Sequence, residues 1–182
     1  MAVSNAPGGS AAGAEDLGKT LFSRLTNAGI KTSFLNRQYR CHPVMGTLAS
    51  ELFYSSGLIN GVTEGQRGPR VKNWPPLMFL DSSGGRESIQ ANGSIVNQEE
   101  ARFITYLVTG LIRGGVDPNE IGVICLYRAQ VSQIKDGLSG LSAEKNIIIV
   151  SVCRSSSPSS FAASPNRLNV ALTRAKRHLV VV

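Results

Sequence analysis

The run Asn146-Ile-Ile-Ile-Val-Ser-Val152 restricts the fold of this chain more than any other feature of its sequence. A strand so apolar on both of its alternating faces must be covered on both sides, as strands of a parallel sheet are. Ile121-Gly-Val-Ile-Cys-Leu126 and His178-Leu-Val-Val-Val182 are of the same kind. Helical stripes separate them. Ile104, Leu107, Val108, Leu111 and Ile112 recur at helical spacing and stop at Gly114-Gly115, and a second helix runs through Val131, Ile134 and Leu138. A third is predicted from about Pro165 to Lys176, with Leu168, Leu172 and Ala175 inward. Strand and helix in alternation predict an α/β protein, a parallel sheet with helices on both faces.

The first half of the chain is less regular. Residues 1–14 are small, uncharged and rich in Gly, Ala and Ser, the composition of a disordered tail. A helix is predicted after Asp16, with Leu17, Leu21, Leu25 and Ala28 on one face and Gly29 as its stop. Thr32–Leu35 reads as a short strand. Pro43 opens a helix with Val44, Leu48 and Leu52 in register, ended by Ser55-Ser56-Gly57. Residues 59–76 and 81–94 are loops around a strand at Leu77–Leu80. Asn97, with Glu100 three residues on, begins the following helix in the manner of a capping box.

At 182 residues the chain can bury a self-sufficient core. No apolar run approaches the length of about 18 residues that spans a bilayer, and no signal peptide is recognisable. Three cysteines without a C-x-x-C pair argue against a disulfide scaffold or a zinc finger, leaving a reducing, intracellular setting. The net charge is +7. After Glu144 no acid occurs, while Lys145, Arg154, Arg167, Arg174, Lys176 and Arg177 follow. Such a one-signed stretch suits a polyanion, nucleic acid or the phosphates of a nucleotide; it equally suits a solvated basic surface.

Two segments carry candidate chemistry. In Gln38-Tyr39-Arg40-Cys41-His42-Pro43, at the end of a strand and before a helix, Arg40 can grip a phosphate in a fork and Tyr39 can stack on a base. A lone Tyr-Arg pair also serves as core filler and rim. Cys41-His42 has the composition of a nucleophile and its base, but such pairs usually come from separate parts of a chain. In Asn166-Arg-Leu-Asn-Val-Ala-Leu-Thr-Arg-Ala-Lys-Arg177, small Ala171 and Ala175 permit close packing while an arginine reaches out. Asn92-Gly-Ser94 matches a glycosylation acceptor, which without a secretion signal reads as chance.

Four blocks in order resemble the motifs of superfamily 1B helicases. Leu35-x-x-Gln-Tyr-Arg-Cys-His-Pro43 with Ser50-x-x-Phe-Tyr54-x-x-Gly-Leu58 looks like motif IV. Glu120-Ile-Gly-Val-Ile-x-x-Tyr-Arg-Ala-Gln-Val131 resembles the next family segment, Glu144–Ser155 the tail of motif V, and Arg167–Arg177 motif VI. The Cys-His-Pro variant and Asn-Gly-Val-Thr-Glu64 look most like the DNA repair helicases that carry a GRF zinc finger, with the nonsense-decay RNA helicases further off.

The resemblance implies a RecA-like parallel sheet over residues 17–182, after a tail at 1–16, truncated at its last strand. It implies the second motor domain of an ATP-dependent, 5′-to-3′ DNA helicase. Tyr39 would stack on adenine, with Gln38 beside it; Arg40 would contact the phosphates; Glu144 would lie near the ribose; Arg174 would be the motif VI arginine finger. Tyr127, Arg128 and Gln130 would meet nucleic acid. ATP with Mg2+ is the implied cofactor, its metal ligands on a first RecA-like domain that is missing here, together with the phosphate loop. Single-stranded DNA or RNA is the implied partner, with no membrane, and the nucleus is favoured over the cytoplasm. Between Leu138 and Glu144 the family has a further strand and a nucleic-acid-touching loop, where this sequence has only Ser-Gly-Leu-Ser-Ala143. The expected sheet therefore lacks one strand. The alternative is a non-catalytic nucleic-acid-binding fragment, or incomplete gene product, without an ATPase of its own.

Overall fold

The computed structural model describes residues 21–82, 84–135, 145–155 and 164–182. They fall into two units, Met1–Leu35 and Asn36–Val182. The first holds helix α1 (Leu21–Asn27). Gly29, at φ +84°, closes it by donating to Thr26 O, a left-handed position that costs a residue without a Cβ nothing. The start of this helix near Asp16 lies outside the described residues, and Thr32–Leu35 forms no strand.

The second unit begins with β1 (Arg37–Gln38), α2 (Pro43–Phe53), β2 (Ile59–Asn60) and β3 (Leu77–Phe79). A hairpin of β4 (Glu87–Ile89) and β5 (Ile95–Asn97) leads into α3 (Gln98–Arg113). Then β6 (Ile121–Cys125), α4 (Arg128–Lys135), β7 (Ile147–Ser151), α5 (Pro165–Leu172) and β8 (His178–Val181) alternate. Four strands form one wholly parallel sheet in the order β3-β8-β7-β6, with Leu77 opposite Leu179 and Ile148 opposite both Gly122 and Leu179. The period of two along β7 divides the core. Ile147 and Ile149 pack with Ile104, Val108 and Leu111 of α3 and Ile134 of α4. Ile148 and Val150 face the other way, onto Met45 of α2, Ala171 of α5 and Ala175. Each fully buried Ile or Val contributes about 1.5–3 kcal/mol, so this one strand, covered on both sides, anchors both layers.

Four local expectations are corrected. The strand before α2 is β1, not Thr32–Leu35, because its ladder is with β2: Ile59 N donates to Asn36 O and Gly61 N to Gln38 O. Helix α2 buries Met45, Gly46, Ala49 and Ser50, while Val44 and Leu52 are exposed. The stretch 81–94 holds β4 and the turn of the β4–β5 hairpin, made at Asn92-Gly93, where Gly93 has φ +76° and Ser94 N donates to Asn92 Oδ1. Helix α5 stops at Leu172 instead of Lys176. Thr173 turns its hydroxyl back onto Asn169 O, and the amides of Lys176 and Arg177 donate to Lys145 O and Asn146 O instead of continuing the helix. Leu138, Glu144 and the expected missing strand between them lie outside the described residues.

Candidate functional site

The segment Gln38–His42 follows β1, yet it stands at the amino end of the four-stranded sheet. His42 N donates to Lys176 O (3.0 Å), and Lys176 N donates to Lys145 O (3.0 Å), just ahead of β8 and β7. Gln38 shapes this loop. Its Oε1 accepts from Arg40 N (2.8 Å) and Cys41 N (3.0 Å), and its Nε2 donates to Cys41 O (3.0 Å) and Asn60 Oδ1 (2.7 Å). That fills the hydrogen-bonding capacity of the amide, so Gln38 holds the loop from inside and is not itself offered to a nucleotide. Gly46 leaves room for the pair, since a Cβ there would lie 2.1 Å from Asn60 Oδ1.

The loop turns Tyr39 and Arg40 outward. Tyr39 is 63% exposed, with its ring over Gly61; Arg40 is exposed as well. Cys41 is buried and His42 caps α2, its Nδ1 accepting from Val44 N (3.2 Å). Burial raises the Cys41 thiol and lowers the His42 imidazole, and the His42 Nδ1 is engaged by the helix amide and not by the thiol. Arg174 lies two residues past α5, half-buried, its amide donating to Ala171 O. Arg177 donates from Nη1 to Gly68 O (2.5 Å), and Lys145 donates from Nζ to Asn119 O. Five cationic residues thus lie on the connected loops at this end: Arg40, Lys145, Arg174, Lys176 and Arg177. Glu144, directly before Lys145 in sequence, lies outside the described residues.

Tyr127, Arg128 and Gln130 follow β6, at the carboxyl end of the same sheet. With strands of five residues, the two ends are about 16 Å apart. Arg128 is exposed and Tyr127 half-buried. Gln130 departs from expectation. It is fully buried, its Oε1 accepting from Asn97 N (2.9 Å) and its Nε2 donating to Asn97 O (3.3 Å) and Ser151 Oγ (3.1 Å), so it faces no nucleic acid. Ser151 Oγ in turn donates to Glu100 Oε1 (2.6 Å), and Cys153 N donates to the same carboxylate (3.0 Å). Glu100 is therefore not the returning half of a capping box. Asn97 Oδ1 accepts from Glu100 N (3.1 Å), but the Glu100 side chain runs inward to hold the exit of β7. There Cys153 has φ +66°, a left-handed conformation that a non-glycine residue keeps only when its neighbours enforce it. Burial raises the Glu100 carboxyl and pushes the thiols of Cys125 and Cys153 up to about 12.

Sequence reasoning passed over Arg67, Gly61 and Asn60, which meet the Tyr39–Arg40 loop from more than 20 residues away. For Asn60 and Gly61 the signal was present in the Asn-Gly-Val-Thr-Glu64 stretch, read only as a mark of resemblance; Arg67 lies beyond it. Gln130 had no such signal, since nothing in Tyr-Arg-Ala-Gln tells an inward side chain from an outward one.

The wholly parallel four-stranded sheet with helices on both faces is consistent with a RecA-like α/β fold. A family model described as an AAA domain matches residues 17–182. The 5′-3′ DNA helicase ZGRF1 of Mus musculus is 38% identical over 194 residues, which cover 96% of this chain and 10% of that protein. Regulator of nonsense transcripts 1 of Caenorhabditis elegans is 37% identical over 91% of this chain and 18% of its own length. The ATP-dependent helicase NAM7 of Saccharomyces cerevisiae is 38% identical over 91% of this chain and 20% of its own. The chain belongs to this family, as a superfamily 1B helicase-like domain, and spans a tenth to a fifth of the length of these relatives. No described helix is long and apolar enough to cross a membrane.

Proposed function

We propose that this chain, over residues 17–182, is the second motor domain of an ATP-dependent, 5′-to-3′ DNA helicase and works in the nucleus. In this reading Tyr39 stacks on the adenine and Glu144 lies at the ribose. Arg40 and Arg174 approach the phosphates, where a guanidinium stabilises the charge that develops during transfer. Arg128, with Tyr127, meets single-stranded nucleic acid at the opposite end of the sheet. The observation that carries the reading is the bond from His42 N to Lys176 O, which draws the Tyr39–Arg40 loop against the turn that holds Arg174. The name of the mouse relative supports DNA and the polarity. Its 194-residue alignment is longer than the share of this 182-residue chain that it covers, so it opens gaps in this chain, in keeping with a lost strand.

The cations at the amino end suit the triphosphate of ATP. Mg2+ is a different matter: among the described residues no group of three His, Cys, Asp or Glu side chains could hold a metal ion. Its ligands belong to the first RecA-like domain in this reading. The run of basic residues after Glu144, with no acid among them, favours a second reading, in which the 182-residue chain by itself binds nucleic acid without hydrolysing ATP. Steady-state ATPase assays test both. The chain alone, with or without single-stranded DNA, is expected to show no turnover, and activity once a first RecA-like domain is supplied. Turnover by the chain alone that disappears in Arg174→Ala would overturn the proposal.

A further inference from the structure

Arg67, in the single turn Gly65–Arg67, is tied to the chain far from its own position. Its Nε donates to Arg40 O (2.7 Å) and its Nη2 to Tyr39 O (2.7 Å), while Nη1 reaches Gln66 O (3.3 Å). A planar guanidinium spanning two consecutive carbonyls fixes the peptide between them, and charge-assisted bonds are stronger than neutral ones. From the other side, Gly61 governs the Tyr39 ring. A Cβ on Gly61 would lie 2.4 Å from Tyr39 Cε1, 2.6 Å from Tyr39 Cδ1 and 2.9 Å from Gln38 O, so only a glycine admits the ring where it stands against the β2 exit. Gly61 thus stands against one side of Tyr39, which is still 63% exposed.

We infer that Gly61 and Arg67 are positioning residues that hold Tyr39 and Arg40 as one preset unit, Gly61 setting the ring and Arg67 the peptide from which both side chains leave. The inference rests on the proposed reading of Tyr39 and Arg40 as nucleotide contacts, and it specifies how that site is kept rigid. The unit takes a planar heteroaromatic ring carrying an anionic group a few ångströms away, which is the chemistry of a nucleotide. The same turn region holds the second loop too, through Gly68 O and Arg177, so Tyr39 and the Arg174–Arg177 turn share one support.

The test places 3-fluorotyrosine at position 39 of the full chain and follows its 19F resonance during titration with ATP, with the melting midpoint recorded for every variant. Gly61→Ala and Arg67→Ala are expected to shift and broaden the resonance before any nucleotide is added. They are also expected to weaken ATP binding by about tenfold, equivalent to about 1.4 kcal/mol. Arg102→Ala, on an exposed helix face, is expected to change neither. Should both variants leave the resonance of the free protein unmoved while folding normally, the positioning inference falls. Should the resonance move in the variants but never respond to ATP in the unmodified chain, the positioning of Tyr39 stands and the nucleotide reading fails. A variant that does not fold is decided by the other, since Gly61 and Arg67 touch the loop from different sides.

Discussion

At the amino end of the sheet, charged side chains hold backbone carbonyls, and the neighbouring Tyr39 and Arg40 are exposed. At the carboxyl end, polar side chains hold one another and are shut away. Arg67 and Arg177 exemplify the first arrangement, donating to the carbonyls of Tyr39, Arg40 and Gly68. Glu100, Gln130 and Ser151 exemplify the second, each buried and each bonded to another of the three or to nearby backbone. An end whose cationic loops are fixed through backbone can meet a changing anion without rearranging. An end built on a closed side-chain network is a rigid hub, and only residues outside the network, such as Arg128, remain for a partner.

The comparison can be broken most sharply at Arg174. In a protein with both RecA-like domains, Arg174→Ala is expected to lower ATP turnover by about 10³-fold, the usual consequence of losing an arginine finger. Arg128→Ala should leave turnover within a few-fold, and equal losses at the two positions would erase the proposed division of labour.

The next largest effect is on stability. Glu100→Ala strands the amide of Cys153 and the hydroxyl of Ser151, and leaving buried donors without partners costs about 1–3 kcal/mol each. Urea unfolding of the chain should show a loss of at least about 2 kcal/mol, whereas Arg40→Ala should stay within about 0.5 kcal/mol of the unmodified chain.

Binding to single strands sharpens the contrast further. Fluorescence anisotropy over a salt series should show weak, sequence-independent affinity that falls as salt rises. Arg128→Ala should flatten the logarithmic salt slope by about one counterion. An unchanged slope would take the nucleic-acid face away from the carboxyl end.

The smallest expected effect is a pH dependence at the amino end. His178 accepts from Arg70 N (2.8 Å) and Val71 N (3.2 Å) at Nε2, and its Nδ1 faces Pro75 O (2.9 Å). That pattern requires the neutral ring with its proton on Nδ1. Burial lowers its pKa most, the Pro75 carbonyl opposes, and the charges of Arg177 and His42 lower it further. With the folded value below the unfolded one near about 6.5, the unfolded chain binds more protons. The stability His178 contributes is therefore full above that pH and declines as pH falls towards the lowered folded value. Denaturant midpoints between pH 7.5 and 5.5 (about the range in which histidine titrates) should drop in the unmodified chain, and drop less in His178→Asn.

Legibility in the sequence followed the way each element is stabilised. Ile147–Val150 and Leu179–Val181 announce their parallel strands because burial on both faces leaves no polar alternation to misread. Helix α3 was legible for a different reason, an apolar stripe at helical spacing that meets one face of the sheet. The short pairs β1–β2 and β4–β5 were not, since strands of two or three residues carry no period, and only Asn92-Gly93 hinted at a turn. The face of α2 was misread because, Met45 apart, what it buries is small or polar: Gly46, Ala49 and Ser50, with a Cβ at Gly46 set to collide with Asn60. Of the site, Tyr39 and Arg40 were visible in their own segment. Their supports were not, because Arg67 reaches them across a loop whose path depends on the fold.

The position of β8 has a consequence in time. It lies inside the sheet, between β3 and β7, and it is the only described partner of β3, with Leu77 opposite Leu179. About a hundred residues separate the two, and at ribosomal rates of about 5–20 residues per second the apolar β3 waits several seconds for its neighbour. The hairpin β4–β5 and helix α3 can form locally during that wait, but the sheet stays split until β8 slots in. Folding of this unit is thus expected to be governed by one late, long-range closure, as in other chains of high contact order, and a nascent chain halted before His178 would present β3 and β7 as open edges to chaperones.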